Sequence, residues 1–225
     1  MRIRYLLLTA MLAACGGQDV RGTQPATVAD WNSDPRPLGE TLVYECADYD
    51  FVARIGPGEM AIWLDDRYMI LSQVRAASGV KYQEGDTEFW MKGDEASLLL
   101  DGQRFTGCQL NQARAPWEDA RRRAVDFRAV GNEPGWHLEI QSGRQLLFVF
   151  DYGMQRVLLA DPGAQQVEGG RIYQAVEEGN DLRVEISDET CTDSMKGDAF
   201  PSSVMLHFNG VEYRGCGMEL EHPWE

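Results

Sequence analysis

Apolar residues along this chain fall in short runs that alternate with polar ones, and turn residues separate the runs. In the first half they lie at 43–46, 51–55, 60–64, 68–71, 89–91, 97–100 and 104–108. Gly56-Pro57-Gly58, Asp65-Asp66 and Asp101-Gly102 supply turns between them. Period-two alternation over such lengths, broken by Gly, Pro and Asp, is the pattern of half-buried strands. About seven strands at this spacing predict a small antiparallel barrel or sandwich over residues 40–111.

Residues 112–125 break the rhythm. Pro116-Trp117-Glu118-Asp119-Ala120-Arg121-Arg122-Arg123-Ala124 predicts a short linking helix. Strand patterning resumes over 126–225, with runs at 127–130, 136–140, 145–150, 156–159, 182–186, 204–208 and 211–215. Asn209-Gly210 is the strongest hairpin signal in the chain. One echo links the halves. Asp101-Gly102-Gln103-Arg104-Phe105-Thr106-Gly107-Cys108 parallels Asn209-Gly210-Val211-Glu212-Tyr213-Arg214-Gly215-Cys216, each a turn, an aromatic strand, a Gly and a Cys. The partner cysteines lie at different distances upstream, so the echo reads as shared closing-strand chemistry and not as a duplication.

The N-terminus is different. Arg2 and Arg4 precede the apolar run Tyr5-Leu6-Leu7-Leu8-Thr9-Ala10-Met11-Leu12-Ala13-Ala14, followed by Cys15. A basic flank, a brief apolar core and small residues make a secretory signal peptide, too short for a transmembrane helix. Leu12-Ala13-Ala14-Cys15 resembles the lipobox of bacterial lipoproteins. That resemblance implies a lipid on Cys15, and Gly16 after it implies sorting to the outer membrane. Gly16, Gly17, Gly22, Pro25, Pro35 and Pro37, with polar residues between them, predict a flexible tether over 15–39. The expected organisation is therefore a signal peptide at 1–14, the tether, a β domain at 40–111, a linker at 112–125 and a second β domain at 126–225. The fold class is mainly β, two small antiparallel barrel or sandwich domains.

Net charge narrows the partners. The formal value is −15, and both β segments are acidic. Nucleic acid is disfavoured, because phosphate binding needs clustered Lys and Arg. Basic proteins are favoured, with fast electrostatic encounter. Arg121-Arg122-Arg123 is the one basic run, and in this setting it reads as paired with nearby acids or facing water.

Five cysteines are present. With Cys15 lipidated, Cys46, Cys108, Cys191 and Cys216 remain, an even set in an oxidising compartment. Three pairings are open. Chain order favours Cys46–Cys108 and Cys191–Cys216, since a domain boundary falls between the pairs. Close Cys spacing for zinc is lacking.

Catalytic signals are weak. His137, His207 and His222 are scattered, and no nucleophile elbow, P-loop or HExxH motif occurs. Adjacent acids such as Asp65-Asp66, Asp94-Glu95 and Glu177-Glu178 point to opposite faces of a strand. The acidic residues between Asp188 and Asp198 lack the spacing of an EF-hand. No catalytic residue, metal or cofactor is assigned.

One constellation carries a signal. Ser78-Gly79-Val80-Lys81-Tyr82 is followed by Phe89-Trp90-Met91-Lys92-Gly93-Asp94-Glu95-Ala96. With Tyr44-Glu45-Cys46 and Cys108, these residues resemble the membrane-bound inhibitors of C-type lysozyme over about 42–110. The family's marks are a Ser-Gly-x-x-Tyr loop, an aromatic strand ending in Lys-Gly, and one disulfide. Met91 departs from the Thr expected before the Lys. The resemblance implies C-type lysozyme as partner, with Ser78, Gly79, Tyr82, Lys92 and Gly93 as binding residues. The chemistry is coherent, since lysozyme works with one protonated and one ionised carboxyl group. A serine hydroxyl can meet the first and a lysine ammonium the second. Gly79 and Gly93 permit tight turns and close backbone approach, and Tyr82 braces the loop.

Phe127-Arg128-Ala129-Val130-Gly131-Asn132-Glu133-Pro134-Gly135-Trp136 resembles the opening of uncharacterised bacterial envelope lipoprotein domains. Cys191-Thr192-Asp193-Ser194-Met195 and Tyr213-Arg214-Gly215-Cys216-Gly217 match later marks of that family, with Lys196 where Ser is expected. Asn132, Glu133 and Trp136 are read as a structured turn and core contact, the alternative being a ligand site for a small molecule or wall component.

Overall fold

Alternation of side chains builds the first half. Its strands are β1 (Thr41–Glu45), β2 (Asp50–Gly56), β3 (Glu59–Trp63), β4 (Tyr68–Val74), β5 (Val80–Glu84), β6 (Thr87–Lys92), β7 (Glu95–Leu100) and β8 (Gln103–Leu110). On β7, Ala96, Leu98 and Leu100 are buried while Ser97 and Leu99 are only half-buried. The other strands contribute Tyr44, Phe51, Met60, Ile62, Leu71, Tyr82 and Phe89 to the same core. Each strand pairs antiparallel with the next, and β8 returns to β1 through Tyr44↔Leu110 and Glu45↔Gln109, closing an eight-stranded barrel. Closure removes the exposed edges that would otherwise pair with other chains. The structure, a computed structural model, describes residues 39–222 except Asp66 and Asp94. The expected signal peptide, Cys15 and all of the expected tether but Gly39 lie outside the described residues, and so does Asp94 of the Asp94-Glu95 pair.

The barrel has one strand more than the apolar runs predict. Val80–Glu84 fully buries Tyr82 alone, with Val80 partly buried against the core and Lys81 and Gln83 facing outward, so its hydrophobic signal is only two residues long. Pairing supplies what the pattern lacks, with Lys81↔Trp90 and Tyr82↔Phe89 in register. At the closing strand the β7–β8 register shifts between Ala96 and Leu98, and Gly107 has φ +67°. A left-handed glycine there fits a bulge that re-aims Cys108 inward.

The predicted linker helix is present as α1 (Ala115–Arg122). Pro116 starts it, Glu118 lies in its first turn, and Arg121 and Arg122 lie in its last, an order that complements the helix dipole. It lies against the outside of β1 and β2. Val43 points away from the barrel core yet is fully buried, and Thr41 and Arg54 both bond Asp119 of the helix, at 2.8 and 2.5 Å.

The second half is one nine-stranded antiparallel sheet curled into a half-barrel. Its strands are β9 (Phe127–Asn132), β10 (Gly135–Gln141), β11 (Gln145–Phe150), β12 (Gln155–Ala160), β13 (Gln165–Val167), β14 (Gly170–Glu177), β15 (Asn180–Ser187), β18 (Ser202–Phe208) and β19 (Val211–Glu219). The two-residue strands β16 (Cys191–Thr192) and β17 (Ala199–Phe200) pair separately. The sheet order is β12-β11-β10-β9-β19-β18-β15-β14-β13. Phe148 sits in its core against Trp136, Phe208 and Tyr213, with centroids 5.2–6.0 Å apart in edge-to-face geometry. β13 and β14 were not expected. β13 is exposed throughout, and β14 buries only Tyr173 and Ala175 within a polar run.

The echo between the halves is a topological one. Asp101-Gly102 and Asn209-Gly210 all have positive φ, and each pair launches the last strand of its sheet. β8 then pairs with β1, and β19 with β9, the first strand of each sheet. The cysteines pair as chain order favoured, Cys46–Cys108 and Cys191–Cys216.

Candidate binding site

Two connections at one end of the barrel bring the Ser-Gly loop and the Lys-Gly turn together. The loop, residues 75–79, joins β4 to β5, and Gly93 begins the turn from β6 to β7. Because Val80 pairs with Met91, Gly79 lies opposite Lys92 at the ends of neighbouring strands. The approach is tight. A Cβ on Gly79 would stand 2.2 Å from the Met91 carbonyl oxygen and 3.3 Å from the Lys92 Cβ. Gly79 has φ +69° and Gly93 φ +64°, a region that glycine enters without steric cost.

Ser78 and Lys92 are exposed. Among the described residues neither side chain has a hydrogen-bond or ion-pair partner. Lys81 next door is engaged, with its ammonium 2.6 Å from Glu88. The two lysines of this region therefore differ in kind, one neutralised within the barrel wall and one available. Tyr82 is 3% exposed and lies in the barrel core near Phe89, centroids 6.5 Å apart. Burial pushes its phenol above the ordinary value. Its place is beneath the loop and not at the surface.

Two further residues shape this end. The Trp90 indole N–H donates to the Ser78 carbonyl oxygen at 2.8 Å, tying the loop to β6. The pairing of Trp90 with Lys81, the residue before Tyr82, depends on β5 being a strand, which its apolar pattern does not signal. Arg75, exposed in the same connection, likewise has no ion-pair partner among the described residues, so a second available cation flanks Ser78. Met91, which departs from the expected Thr, acts through its backbone carbonyl against Gly79, while its side chain packs on the barrel core.

Against these features, the family described as "Membrane-bound lysozyme-inhibitor of c-type lysozyme" matches residues 44–105. A "Membrane-bound lysozyme inhibitor of C-type lysozyme" of Yersinia enterocolitica serotype O:8 / biotype 1B (strain NCTC 13174 / 8081) is 34% identical over 88 residues, 38% of this chain and 75% of that relative. A protein of the same description from Escherichia coli (strain K12) is 32% identical over 74 residues, 32% of this chain and 68% of that relative. The chain belongs to this family. The family match takes in Ser78, Gly79, Tyr82, Lys92 and Gly93, and stops before α1 and the half-barrel. This lysozyme-inhibitor family member thus carries about 100 residues of curled sheet beyond the matched barrel.

The three marked stretches of that second half converge on one end of its sheet. Asn132 Nδ2 donates to Asp193 Oδ2 at 2.7 Å, and Asp193 Oδ1 accepts from the backbone N–H groups of Met195 and Lys196, both at 2.8 Å. These bonds hold the Asp193 carboxyl below the usual carboxylate range, led by the Lys196 N–H and then the Asn132 amide. Trp136 is buried, and its ring lies against Gly131 and Gly215. A Cβ on either glycine would come within 2.7 Å of an indole atom. Asn132 and Trp136 are thus turn and core residues, and Glu133 is exposed on the turn between them. The three helix-end arginines are not a surface patch either. Arg122 bonds Glu118 at 2.8 Å, Arg123 bonds Asp119 and Glu139 at 2.8 Å each, and Arg121 lies 3.9 Å from Glu118.

Proposed function

We propose that this protein inhibits C-type lysozyme by inserting the Ser78-Gly79 loop and Lys92 into the enzyme's active-site cleft. It acts as an inhibitor and not as an enzyme. The observation that carries the reading is the juxtaposition, by the Gly79–Met91 backbone contact, of two exposed polar side chains that have no partner among the described residues. The Ser78 hydroxyl offers donor and acceptor to the protonated catalytic acid, and the Lys92 ammonium a charge-assisted bond to the ionised carboxylate. Gly79 and Gly93 let the backbone follow, and Tyr82 supports the loop from within the core. The net charge of −15 steers encounter with a basic enzyme. In this reading residues 40–111 are the inhibitory domain, 112–125 the linker and 126–225 a second domain. Residues 1–14 direct export, and a lipid on Cys15 holds the protein at the outer membrane, so that inhibition protects peptidoglycan from the envelope side.

The test is titration of hen lysozyme activity with a soluble form lacking residues 1–15, beside Ser78→Ala and Lys92→Ala, at low and high salt. Inhibition that survives salt and weakens in both variants supports cleft insertion. Inhibition abolished by salt and indifferent to both substitutions would leave only charge attraction between an acidic and a basic protein.

A further inference from the structure

A cleft of about 640 Å³ opens between α1 and strands β2–β4, at the far end of β4 from the inhibitory loop. Its size is that of small-molecule sites, about 300–1,000 Å³. Phe51, Trp63 and Tyr68 line it, Phe51 from the barrel core. Trp63 ends β3 and Tyr68 begins β4, with centroids 5.2 Å apart and planes inclined by 52°. Tyr68 is 53% exposed, so much of its ring is open to solvent. The Arg122 guanidinium lies 4.8 Å from the Trp63 ring centroid and forms part of the wall.

Most charged groups of the cleft are paired, and Asp65 on its rim has no ion-pair partner among the described residues. Arg114 bonds Glu45 and Asp50 at 2.6 and 2.8 Å, Arg122 bonds Glu118 at 2.8 Å, and Arg67 pairs with Asp101. Internal pairing commits the three arginines and leaves carboxylate edges to spare, which disfavours an anionic ligand. Inclined aromatic faces beside such edges suit a ligand with apolar C–H faces and a rim of hydroxyls. We propose that this cleft binds a neutral pyranose, as a free sugar or as one unit of a glycan. The exposed ring of Tyr68 stacks on one face of the sugar with Trp63 inclined beside it, and the Arg groups donate to the hydroxyls while the carboxylates accept from them. β4 separates this cleft from the loop by seven residues, about 20 Å. The protein can therefore rest on a glycan with its inhibitory end uncovered.

The experiment is an NMR titration of the ¹⁵N-labelled soluble protein, without lysozyme, using chitotriose and then maltotriose to millimolar concentration. The expected result is saturable shifts of the Trp63 indole N–H and of Tyr68 with at least one sugar, and a Kd raised about tenfold or more in Tyr68→Ala. Melting temperature verifies that the variant is folded, and Asp65→Ala on the exposed rim provides a second variant. Three results would overturn the proposal: no shift with either sugar, an unchanged Kd in the folded variants, or tighter binding of glucuronate or sulfate than of either neutral sugar. Because lysozyme is absent, the outcome does not depend on the inhibitory reading.

Discussion

The backbone of Gly79 rests against the carbonyl of Met91, so close that a single methyl group would lie 2.2 Å from that oxygen. This contact sets the spacing between the Ser78 loop and Lys92. Gly79→Ala must displace backbone and also occupy φ +69°, a strain of about 1–3 kcal/mol. The expected outcome is inhibition weakened about tenfold or more, with a lower melting temperature. Gly85→Ala, at φ +56° but with open space around its Cβ, serves as control and keeps inhibition intact. Equal losses in both variants would remove the special role of the Gly79 contact.

Trp90 holds the same loop through one hydrogen bond to the Ser78 carbonyl. Trp90→Phe keeps an aromatic ring on β6 and deletes the donor. A net hydrogen bond is worth about 0.5–1.5 kcal/mol, so inhibition is expected to fall about three- to tenfold through faster dissociation. Surface-binding kinetics on immobilised lysozyme would show it. A change confined to the association rate would point to long-range charge and not to loop order.

Lys92 and Lys81 provide a matched comparison. The Lys81 ammonium is committed to Glu88 at 2.6 Å, whereas Lys92 has no partner among the described residues. If Lys92 enters the cleft, Lys92→Ala leaves a lysozyme carboxylate buried and unpaired, a cost of about 2–5 kcal/mol. Inhibition should then drop about thirtyfold or more. Lys81→Ala removes a half-exposed pair worth about 1 kcal/mol at most and should leave inhibition within about threefold. The order of these two effects, read from inhibition curves, decides whether position or charge alone matters.

The sequence carried the β class, the short helix and the disulfide pairing because each rests on local signals or on cysteine order. Asp101-Gly102 and Asn209-Gly210 marked two hairpins whose left-handed residues the structure contains. Strand β5 is hard to read because only Val80 and Tyr82 carry its hydrophobic signal, while β14 hides Tyr173 and Ala175 among polar neighbours. At the candidate site, Ser78, Gly79 and Lys92 were visible as residue types in a familiar order. The reason they meet was not, since it depends on the Val80↔Met91 register and on a contact at the backbone of Met91. Trp90 and Arg75 escaped notice for the same reason, as their roles exist only once the two connections stand side by side. The cleft beside Trp63 and Tyr68 was invisible because one wall of it, Arg114, Glu118 and Arg122, comes from α1 and the residue before it, some fifty residues further on.

A chain of charges, partly buried at the barrel and buried at Arg128 and Glu139, joins barrel, helix and half-barrel. Arg54 bonds Asp119, Asp119 bonds Arg123, and Arg123 grips Glu139, which also meets Arg128. Glu139 is 1% exposed. Removing one partner of a buried pair strands the other, at a cost of about 3–5 kcal/mol. Glu139→Ala leaves Arg128 uncompensated and Arg123 with Asp119 alone, and its unfolding free energy from urea denaturation should fall by that order, whereas Glu185→Ala, at an exposed pair with Arg183, should change little. Equal unfolding free energies would mean that water reaches the network in solution.

His137 sits beside this network and gives it a pH signature. Burial first, and then the positive charges of Arg128 and Arg123, push its pKa from 6.5 down to about 4, with Glu139 opposing. A histidine with a lowered folded pKa binds its proton more readily when unfolded, so stability rises with pH between the two values. The folded protein should therefore lose stability as pH falls from about 6.5 to about 4, by about 3 kcal/mol in all from this group. Asp119 adds to the loss at lower pH. Burial raises its pKa, but Arg123, Thr41 and Arg54 together outweigh that and hold it below the usual carboxylate range. Its stabilisation is present above the unfolded value and disappears as pH drops through the folded one. His137→Gln keeps a polar side chain that does not titrate, and should flatten the stability curve between pH 6.5 and 4 while leaving the steeper acid limb in place. Chemical denaturation at stepwise pH would separate the two, and a wild-type curve already flat across that interval would show that His137 is protonated in the folded state without penalty.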